Sequence, residues 1–265
     1  MKLTILAALA PFITTPVAVV AFVGGGGKSS ALFRLAAELV AAGKRVITTT
    51  TTHIAVEQLA WAPVHLPLTE ATTERIDAAL QQHQHLLITD SSDPATGKVR
   101  GVPVGFVNTL LELGLADAIL VEADGARKLP FKAPASYEPV IPPASTLVVI
   151  VVGVDIFGHP LDEQHVHRPA LVSALSGCPI GAPVTPAVVA RVVAHPDGGR
   201  KGVPTGAPVA VLLNKTDLLA DWAPVYATVD LLRNEPGIAG VVAGSLHSSV
   251  ALAVYEHRIG WVACR

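Results

Sequence analysis

Four consecutive glycines, at positions 24–27, lie between an apolar segment and the residues Lys28, Ser29 and Ser30. The apolar segment, 17–23, lacks polar alternation, which is typical of a strand buried on both faces. Apolar side chains recur at helical spacing after the serines, and Gly43 ends that pattern. The order of strand, glycine loop and helix therefore restricts the chain to an α/β fold with a tight turn at one edge of a sheet.

Short apolar runs alternate with helical patterns along the rest of the chain, as in βαβ units around a mostly parallel sheet. Strands are predicted at 17–23, 45–50, 85–90, 118–122, 147–152, 208–213 and 238–243. Helices are predicted at 29–42, 72–82, 104–113, 169–175, 185–194 and 221–233. Two segments rich in proline or glycine, 129–143 and 194–208, are predicted loops. Because neither loop flanks a separate core pattern and no internal repeat is found, we expect residues 1–265 to form one domain.

Charge is scarce along the chain, and this excludes several classes of protein. Asp, Glu, Lys and Arg make up 15% of the residues, against 51% hydrophobic ones, and the formal net charge is −2. This composition excludes a disordered chain and a coiled coil. No basic run supplies the footprint of nucleic-acid binding, and we expect no membrane span. The low charge favours an apolar surface covered by another subunit, as in a homo-oligomer.

The two cysteines and the amino-terminal segment indicate in which cellular compartment the protein is expected. Cys178 and Cys264 have no CxxC partner, which argues against a disulfide framework and a cysteine-based zinc site. Residues 1–23 imitate a secretory signal peptide, but Pro11 and Pro16 interrupt the apolar stretch. Since 17–23 is also needed as a strand, we expect a cytoplasmic protein.

The glycine loop has the composition of a phosphate-binding site. Glycines allow successive backbone N–H groups to point inward, and the helix start adds a partial positive charge. Lys28 would reach the β- and γ-phosphates, while Ser29, or Ser30 beside it, would offer a hydroxyl to Mg²⁺. The loop is shorter than the full GxxxxGK[ST] pattern, because Phe22 stands where its first glycine would be. We predict that Gly24, Gly25, Gly26 and Gly27 bind nucleotide phosphates together with these side chains.

Two carboxylates follow the strand at 118–122. Glu122 and Asp124 end an apolar run, and Gly125 follows them. Carboxyl ends of parallel strands meet at one edge of a sheet, so both side chains should face the phosphate loop. One would hold Mg²⁺, and the other could orient the attacking nucleophile. We take Asp124, with Ser29, as the predicted metal ligand.

A candidate base-reading motif follows the strand at 208–213. Asn214, Lys215, Thr216 and Asp217 match the NKxD pattern of guanine-nucleotide proteins. The Asp217 carboxylate would accept hydrogen bonds from guanine, whose N1–H and amino group are donors, and would be repelled by the N1 acceptor of adenine. Lys215 would lay its stem over the base, and Asn214 would brace the loop. The alternative is a chance tetrapeptide in which Asp217 caps a helix.

Three further groups of residues have open interpretations. The threonines at 48–52 form either a solvated strand end or a switch segment that meets the metal or γ-phosphate. The basic side chains of the 127–132 loop and of the 159–168 segment could bind an anionic substrate or be solvated; the candidates are Arg127, Lys132 and Arg168. Imidazoles of the same segment could ligate a metal or simply be hydrogen-bonded; these are His159, His165 and His167.

Taken together, these segments resemble the YqeC family, described as accessory proteins of selenium-dependent molybdenum hydroxylases. The segments that carry the resemblance, almost end to end, are VGGGGKSS, TTTTTH, VEADGARKLPFKAP with EPVIP, VGVDIFGHPLDEQHVHRP and LLNKTD. Gly24, Gly26, Gly27 and Lys28 match the family's loop, and Ser29 stands where threonine is common. The architecture is also similar to GTPases that insert metals into nickel enzymes, but this chain has no cysteine cluster like their metal ligands.

The resemblance implies a three-layer α/β/α domain like that of P-loop NTPases, which acts in the maturation of molybdenum enzymes. The predicted function is that of a Mg²⁺-dependent protein that binds GTP or ATP, hydrolyses it slowly and assists a client molybdenum hydroxylase or a cofactor-handling protein. Catalysis would rest on positioning and charge neutralisation by Lys28, Glu122 and Asp124. Two alternatives stay open: a small-molecule kinase or nucleotidyltransferase, and a carrier that binds a cofactor without hydrolysis.

Overall fold

Fifteen strands and seven α-helices form the fold in the computed structural model, which describes residues 4–13, 15–93, 96–247, 253–256 and 260–263. Cys264 therefore lies outside the described residues. The strands are β1 (Ala18–Gly24), β2 (Val46–Thr50), β3 (His53–Ala55), β4 (His65–Pro67), β5 (His85–Thr89), β6 (Ser92–Asp93), β7 (Lys98–Arg100), β8 (Ala118–Glu122), β9 (Phe131–Lys132), β10 (Leu147–Gly153), β11 (Val166–His167), β12 (Val209–Asn214), β13 (Gly240–Gly244), β14 (Ala253–Glu256) and β15 (Gly260–Ala263). The helices are α1 (Ile5–Leu9), α2 (Lys28–Ala41), α3 (Thr73–His83), α4 (Phe106–Leu113), α5 (Pro169–Ser176), α6 (Pro186–Ala194) and α7 (Ala223–Leu232).

The central sheet has ten strands in the order β15-β14-β13-β12-β10-β1-β8-β2-β5-β4. Pairing is parallel from β4 to β13 and antiparallel only at the edge formed by β14 and β15. Neighbouring β12, β10, β1 and β8 run in the same direction. Their carboxyl ends therefore lie side by side, and these ends carry the glycine loop, the acidic pair and the NKTD segment.

Side chains alternate between the two faces of the sheet along β1. Val20 and Phe22 pack in one cluster with α1 and α2, whereas Val19 packs with α3 and α4 on the other face. Ala21 and Val23 lie on that second face as well, in the cluster that includes α5, α6 and α7. Because both faces are covered, the strands are apolar throughout, as expected for a parallel sheet between two layers of helices. The predicted three-layer α/β/α fold with a mostly parallel sheet is confirmed.

The long predicted elements are confirmed, with ends that shift by no more than two residues. The predicted loop at 129–143 is wrong at two positions, because residues 131–132 form β9 and pair with β11. Such two-residue ladders show no periodicity in a sequence, and neither do the short β3, β6 and β7, which form a separate small sheet. Among the described residues, no helix combines the length and the apolar character needed to cross a bilayer.

Candidate nucleotide site

The glycine loop lies tightly against the neighbouring strand β10. Gly26 has a φ of +75°, and a Cβ atom there would lie 2.0 Å from the backbone nitrogen of Gly153. At Gly24, φ is +95° and a Cβ would lie 2.3 Å from the Val151 carbonyl oxygen. Only glycine combines this backbone conformation with such a close approach. The glycines are therefore required by packing before any ligand is considered.

The start of α2 offers unsatisfied donors beside this loop. The N–H groups of residues 27–30 find no acceptor in the described part of the chain, whereas the N–H of Ala31 donates to the Gly27 carbonyl at 2.9 Å. The first N–H groups of a helix lack partners within the helix, and its dipole favours an anion there. The geometry therefore leaves hydrogen-bond donors for an anion at the end of β1.

Lys28 is buried, with 5% of its surface exposed, and folds back over the loop. Its Nζ donates to the Gly24 carbonyl at 2.7 Å and lies 3.2 Å from Oδ1 of Asp124 and 3.9 Å from Oε1 of Glu122. Burial disfavours the charged amine, but the two carboxylates outweigh burial and raise the pKa of Lys28 above its usual value. The lysine therefore stays protonated and is held by carboxylates where a phosphate would compete for it.

The two carboxylates contact different parts of the loop. Glu122 accepts a hydrogen bond from the Ser29 hydroxyl at 2.6 Å, and burial raises the pKa of Glu122 even though Lys28 and this hydrogen bond oppose it. Asp124 accepts from the N–H of Gly24 at 3.0 Å through Oδ2. Both predicted carboxylates thus converge on the glycine loop, together with the predicted serine. Hydroxyl and carboxylate oxygens are the donors that Mg²⁺ prefers, so these residues fit that metal.

Lys132 and Arg168, two of the three predicted substrate residues, are bound to carboxylates of the chain itself. Lys132 is buried and donates to Oε2 of Glu138 at 2.7 Å, and it lies 3.0 Å from Oδ2 of Asp124. Arg168 holds both oxygens of Glu138, at 2.7 and 3.2 Å. Burial opposes ionisation of Glu138, but the hydrogen bonds from Arg168 and Lys132 prevail and lower its pKa to about 2. Arg127, the third, is exposed.

The NKTD segment contacts the phosphate loop through its first residue. The Asn214 amide donates to the Gly26 carbonyl at 2.8 Å, and its oxygen accepts from the N–H of Leu246 at 3.2 Å. Lys215 donates to Asp155 at 2.7 Å, whereas Asp217 lies exposed on a short 3₁₀ turn. The structure therefore brings Asn214 to the loop and leaves Asp217 at the surface.

The threonine run is mostly ordered by hydrogen bonds within the fold. Thr48, Thr49 and Thr50 are buried, and the Thr50 hydroxyl donates to the Glu122 carbonyl at 2.9 Å. The Thr51 hydroxyl donates to the Val140 carbonyl at 2.7 Å. These contacts join β2 to the acidic strand end and to the loop that carries Glu138.

The three histidines do not form one cluster of ligands. His159 and His165 stack with ring centroids 4.5 Å apart, and His165 pairs with Asp162 at 2.7 Å. His167 is buried in β11. Within the described ranges, no group of three or more His, Cys, Asp or Glu side chains is arranged to hold a metal ion.

His167 and His85 predict how stability depends on pH. The pKa of both is lowered to about 4 from 6.5, by burial and, for His167, also by the nearby Arg168, Lys132 and Arg127. Between pH 6.5 and about 4 the unfolded chain binds more protons at these positions than the folded protein does. Their contribution to stability is therefore complete above pH 6.5 and is lost as the pH falls toward 4.

Urea unfolding at pH 4 to 8 measures this dependence. We expect the free energy of unfolding to rise with pH across the lower half of that range, and His167→Asn and His85→Asn each to flatten the rise. A slope that both variants leave intact would contradict the assignment.

Two contributors to the site were not among the sequence-based candidates. Glu138 forms ion pairs with Lys132 and Arg168, and Asp155 pairs with Lys215. A signal existed for Asp155, because it follows the buried strand β10 just as Asp124 follows β8. Glu138 lies on a loop without periodicity, so only the excess of basic residues around it could have indicated a carboxylate partner.

Comparisons with known proteins give a family for the chain and several distant structural likenesses. The family model described as YqeC protein matches residues 20–170. The uncharacterized protein YqeC of Escherichia coli (strain K12) is 34% identical over 119 residues, which cover 45% of this chain and 46% of that protein. The match thus spans about half the length of this curated relative.

Solved structures with similar folds share little sequence with the chain. Chloroplast FtsY from Physcomitrella patens has a TM-score of 0.43 and 14% identity, over 96% of this chain and 70% of that one. The MinC:MinD cell division protein complex of Aquifex aeolicus has a TM-score of 0.45 and 14% identity, over 86% and 81%.

Proposed function

The chain belongs to the YqeC family, and from the geometry of its glycine loop we propose that it is a Mg²⁺-dependent protein that binds GTP or ATP. The observation that carries the proposal is Lys28, buried and held by Asp124 and Glu122 beside the free N–H groups at the start of α2. A buried lysine next to such donors favours a polyphosphate, because the phosphate oxygens satisfy the amine and the amides at once.

Roles within the proposed site follow from the donors at hand. Phosphates would lie on the backbone of residues 24–30, against Lys28. Mg²⁺ would be held by Ser29 with Asp124, or with Glu122, and would neutralise phosphate charge when bound. Around the base, Asn214 would brace the loop while Lys215 and Asp217 contact the nucleoside.

Slow hydrolysis fits the contacts of the two carboxylates. Asp124 already faces Lys28, Lys132 and the N–H of Gly24, and Glu122 holds Ser29. Neither carboxylate is free to orient a water molecule in this arrangement, so we propose a slow NTPase rather than an efficient one. The family resemblance supports a role as accessory factor in the maturation of a selenium-dependent molybdenum hydroxylase, in the cytoplasm.

A kinase or nucleotidyltransferase is the second candidate, with Arg127, Lys132 and Arg168 around an acceptor. The pairing of Lys132 and Arg168 with Glu138 weighs against it, because an anionic acceptor would have to displace that carboxylate. Product analysis separates the candidates. Free phosphate without an added acceptor supports the hydrolase, and label on an acceptor supports the transferase. Tight binding without any turnover supports the carrier.

The proposal is tested by calorimetric titration with GTP, ATP and CTP, each with and without Mg²⁺. We expect binding of a triphosphate that strengthens with Mg²⁺. If the NKTD segment reads guanine, Asp217→Ala lowers GTP affinity by about tenfold or more, because a hydrogen bond to a charged group is lost. Asp230→Ala, an exposed acid on α7, is the matched control and should bind like the wild type. Absence of nucleotide binding in the wild type contradicts the proposal.

A further inference from the structure

Asp124 lies between two buried lysines. Lys28 approaches its Oδ1 at 3.2 Å, and Lys132 approaches its Oδ2 at 3.0 Å. The side chains of all three are no more than 4% exposed. One carboxylate thus contacts two amines, of which Lys28 also approaches Glu122 and Lys132 also pairs with Glu138.

Phosphate binding explains why a second lysine is needed. On the proposed function, the amine of Lys28 turns from Asp124 to the polyphosphate. Asp124 cannot follow, because its Oδ2 is fixed by the N–H of Gly24 at 3.0 Å. Where Ser29 and Glu122 hold the Mg²⁺, Asp124 without another cation would then be a buried carboxylate facing an anion with no compensation, which is costly in a protein interior.

Lys132 is itself held in place and cannot reach the phosphates instead. Its Nζ donates to the Gly125 carbonyl at 2.6 Å and to Glu138 at 2.7 Å, in addition to its contact with Asp124. Three acceptors match the three donors of an ammonium group. Arg168 fixes Glu138 in turn, so the amine of Lys132 is held beside Asp124.

We propose that Lys132 is a positioning residue of the phosphate site: it keeps Asp124 neutralised when Lys28 engages the nucleotide. The inference rests on the proposed nucleotide function and deepens it. Lys132 therefore acts through Asp124 rather than by contact with the substrate. A role of this kind is detected as non-additivity between the two residues.

The test is a double-mutant cycle on nucleotide affinity, with Lys132→Gln, Asp124→Asn and both together. The probe is the Mg²⁺ complex of the triphosphate that the wild type prefers. We expect Lys132→Gln alone to weaken binding by about 30-fold or more, as for a buried charge left without its partner. With Asp124→Asn already present, the same change should cost less than about threefold, because residue 124 no longer carries a charge and Glu138 keeps Arg168 as its partner.

Lys201→Gln is the matched control. Lys201 donates to the carbonyls of Ala135 and Ser136, so it holds the loop that carries Glu138 without pairing with Asp124. We expect its nucleotide affinity to equal that of the wild type. Equal losses in Lys201→Gln and Lys132→Gln would mean that the lysines only hold the loop, and would overturn the inference.

The remaining outcomes separate this inference from the proposed function. If the wild type binds no nucleotide, the proposed function fails. If the wild type binds and Lys132→Gln binds equally well, only the inference fails. Should Lys132→Gln not fold, the double variant is compared with Asp124→Asn alone. Equal affinities support the inference, and a further large loss overturns it.

Discussion

Replacing Lys28 with alanine is expected to lower nucleotide affinity by about 30-fold or more. The loss of a buried, hydrogen-bonded charge partner costs roughly 2 to 5 kcal/mol, and each 1.4 kcal/mol is tenfold in affinity. Lys28 lies at the start of α2 beside the free N–H groups of the loop, and its amine is buried away from water. Calorimetric titration with the preferred triphosphate measures the effect.

Lys44→Ala is the control for this substitution. Lys44 is exposed shortly after the other end of the same helix, so its removal should leave the affinity unchanged. Circular dichroism establishes whether both variants are folded, because Glu122 and Asp124 lose a counter-ion in Lys28→Ala. Folded Lys28→Ala with wild-type affinity would refute the phosphate site.

Replacing Gly26 with alanine is expected to destabilise the protein by roughly 2 to 5 kcal/mol, or to prevent folding. A left-handed conformation costs an L-residue about 1 to 2 kcal/mol, and forced overlap in a packed interior adds about 1 to 3 kcal/mol. The overlap is with the backbone of Gly153, which cannot rotate away as a side chain could. β1 would have to move away from β10, although the two strands are paired in the centre of the sheet.

Gly105→Ala separates this effect from a general cost of adding a methyl group. Gly105 has a φ of −65°, and a Cβ there meets no atom within 4 Å. We therefore expect Gly105→Ala to be neutral or to stabilise by up to about 1 kcal/mol. Urea unfolding of both variants gives the comparison. Similar losses at Gly26 and Gly105 would contradict the account of the loop.

The helices and strands could be predicted from the sequence wherever it contains a long apolar run or a long helical pattern of apolar residues. β8 begins and ends at the predicted residues, because Ala118 and Glu122 bound an uninterrupted apolar run. α2 begins within one residue of the prediction, because apolar side chains recur at helical spacing directly after the glycine loop. The meeting of Glu122 and Asp124 with the glycine loop also followed, since parallel strands place their carboxyl ends at one edge.

The charge pairs around the loop could not be predicted in the same way. Lys132 and Arg168 are 36 positions apart, and their common partner Glu138 lies on a segment without periodic pattern. Only the pairing of β9 with β11 brings them together, and two-residue ladders leave no trace in hydropathy. The sequence alone therefore indicates Lys132 and Arg168 as substrate ligands. It does not show that both already pair with Glu138.

Asn214 has a consequence for how a ligand would be recognised. Its amide joins the carbonyl of Gly26 to the backbone of Leu246. One side chain thus connects the glycine loop to segments more than 180 positions further along the chain. Nucleoside and phosphates would then meet a single preorganised body and not two loops that close one after the other. Much of the entropy cost of ordering these loops is therefore part of folding and does not reduce the free energy of ligand binding.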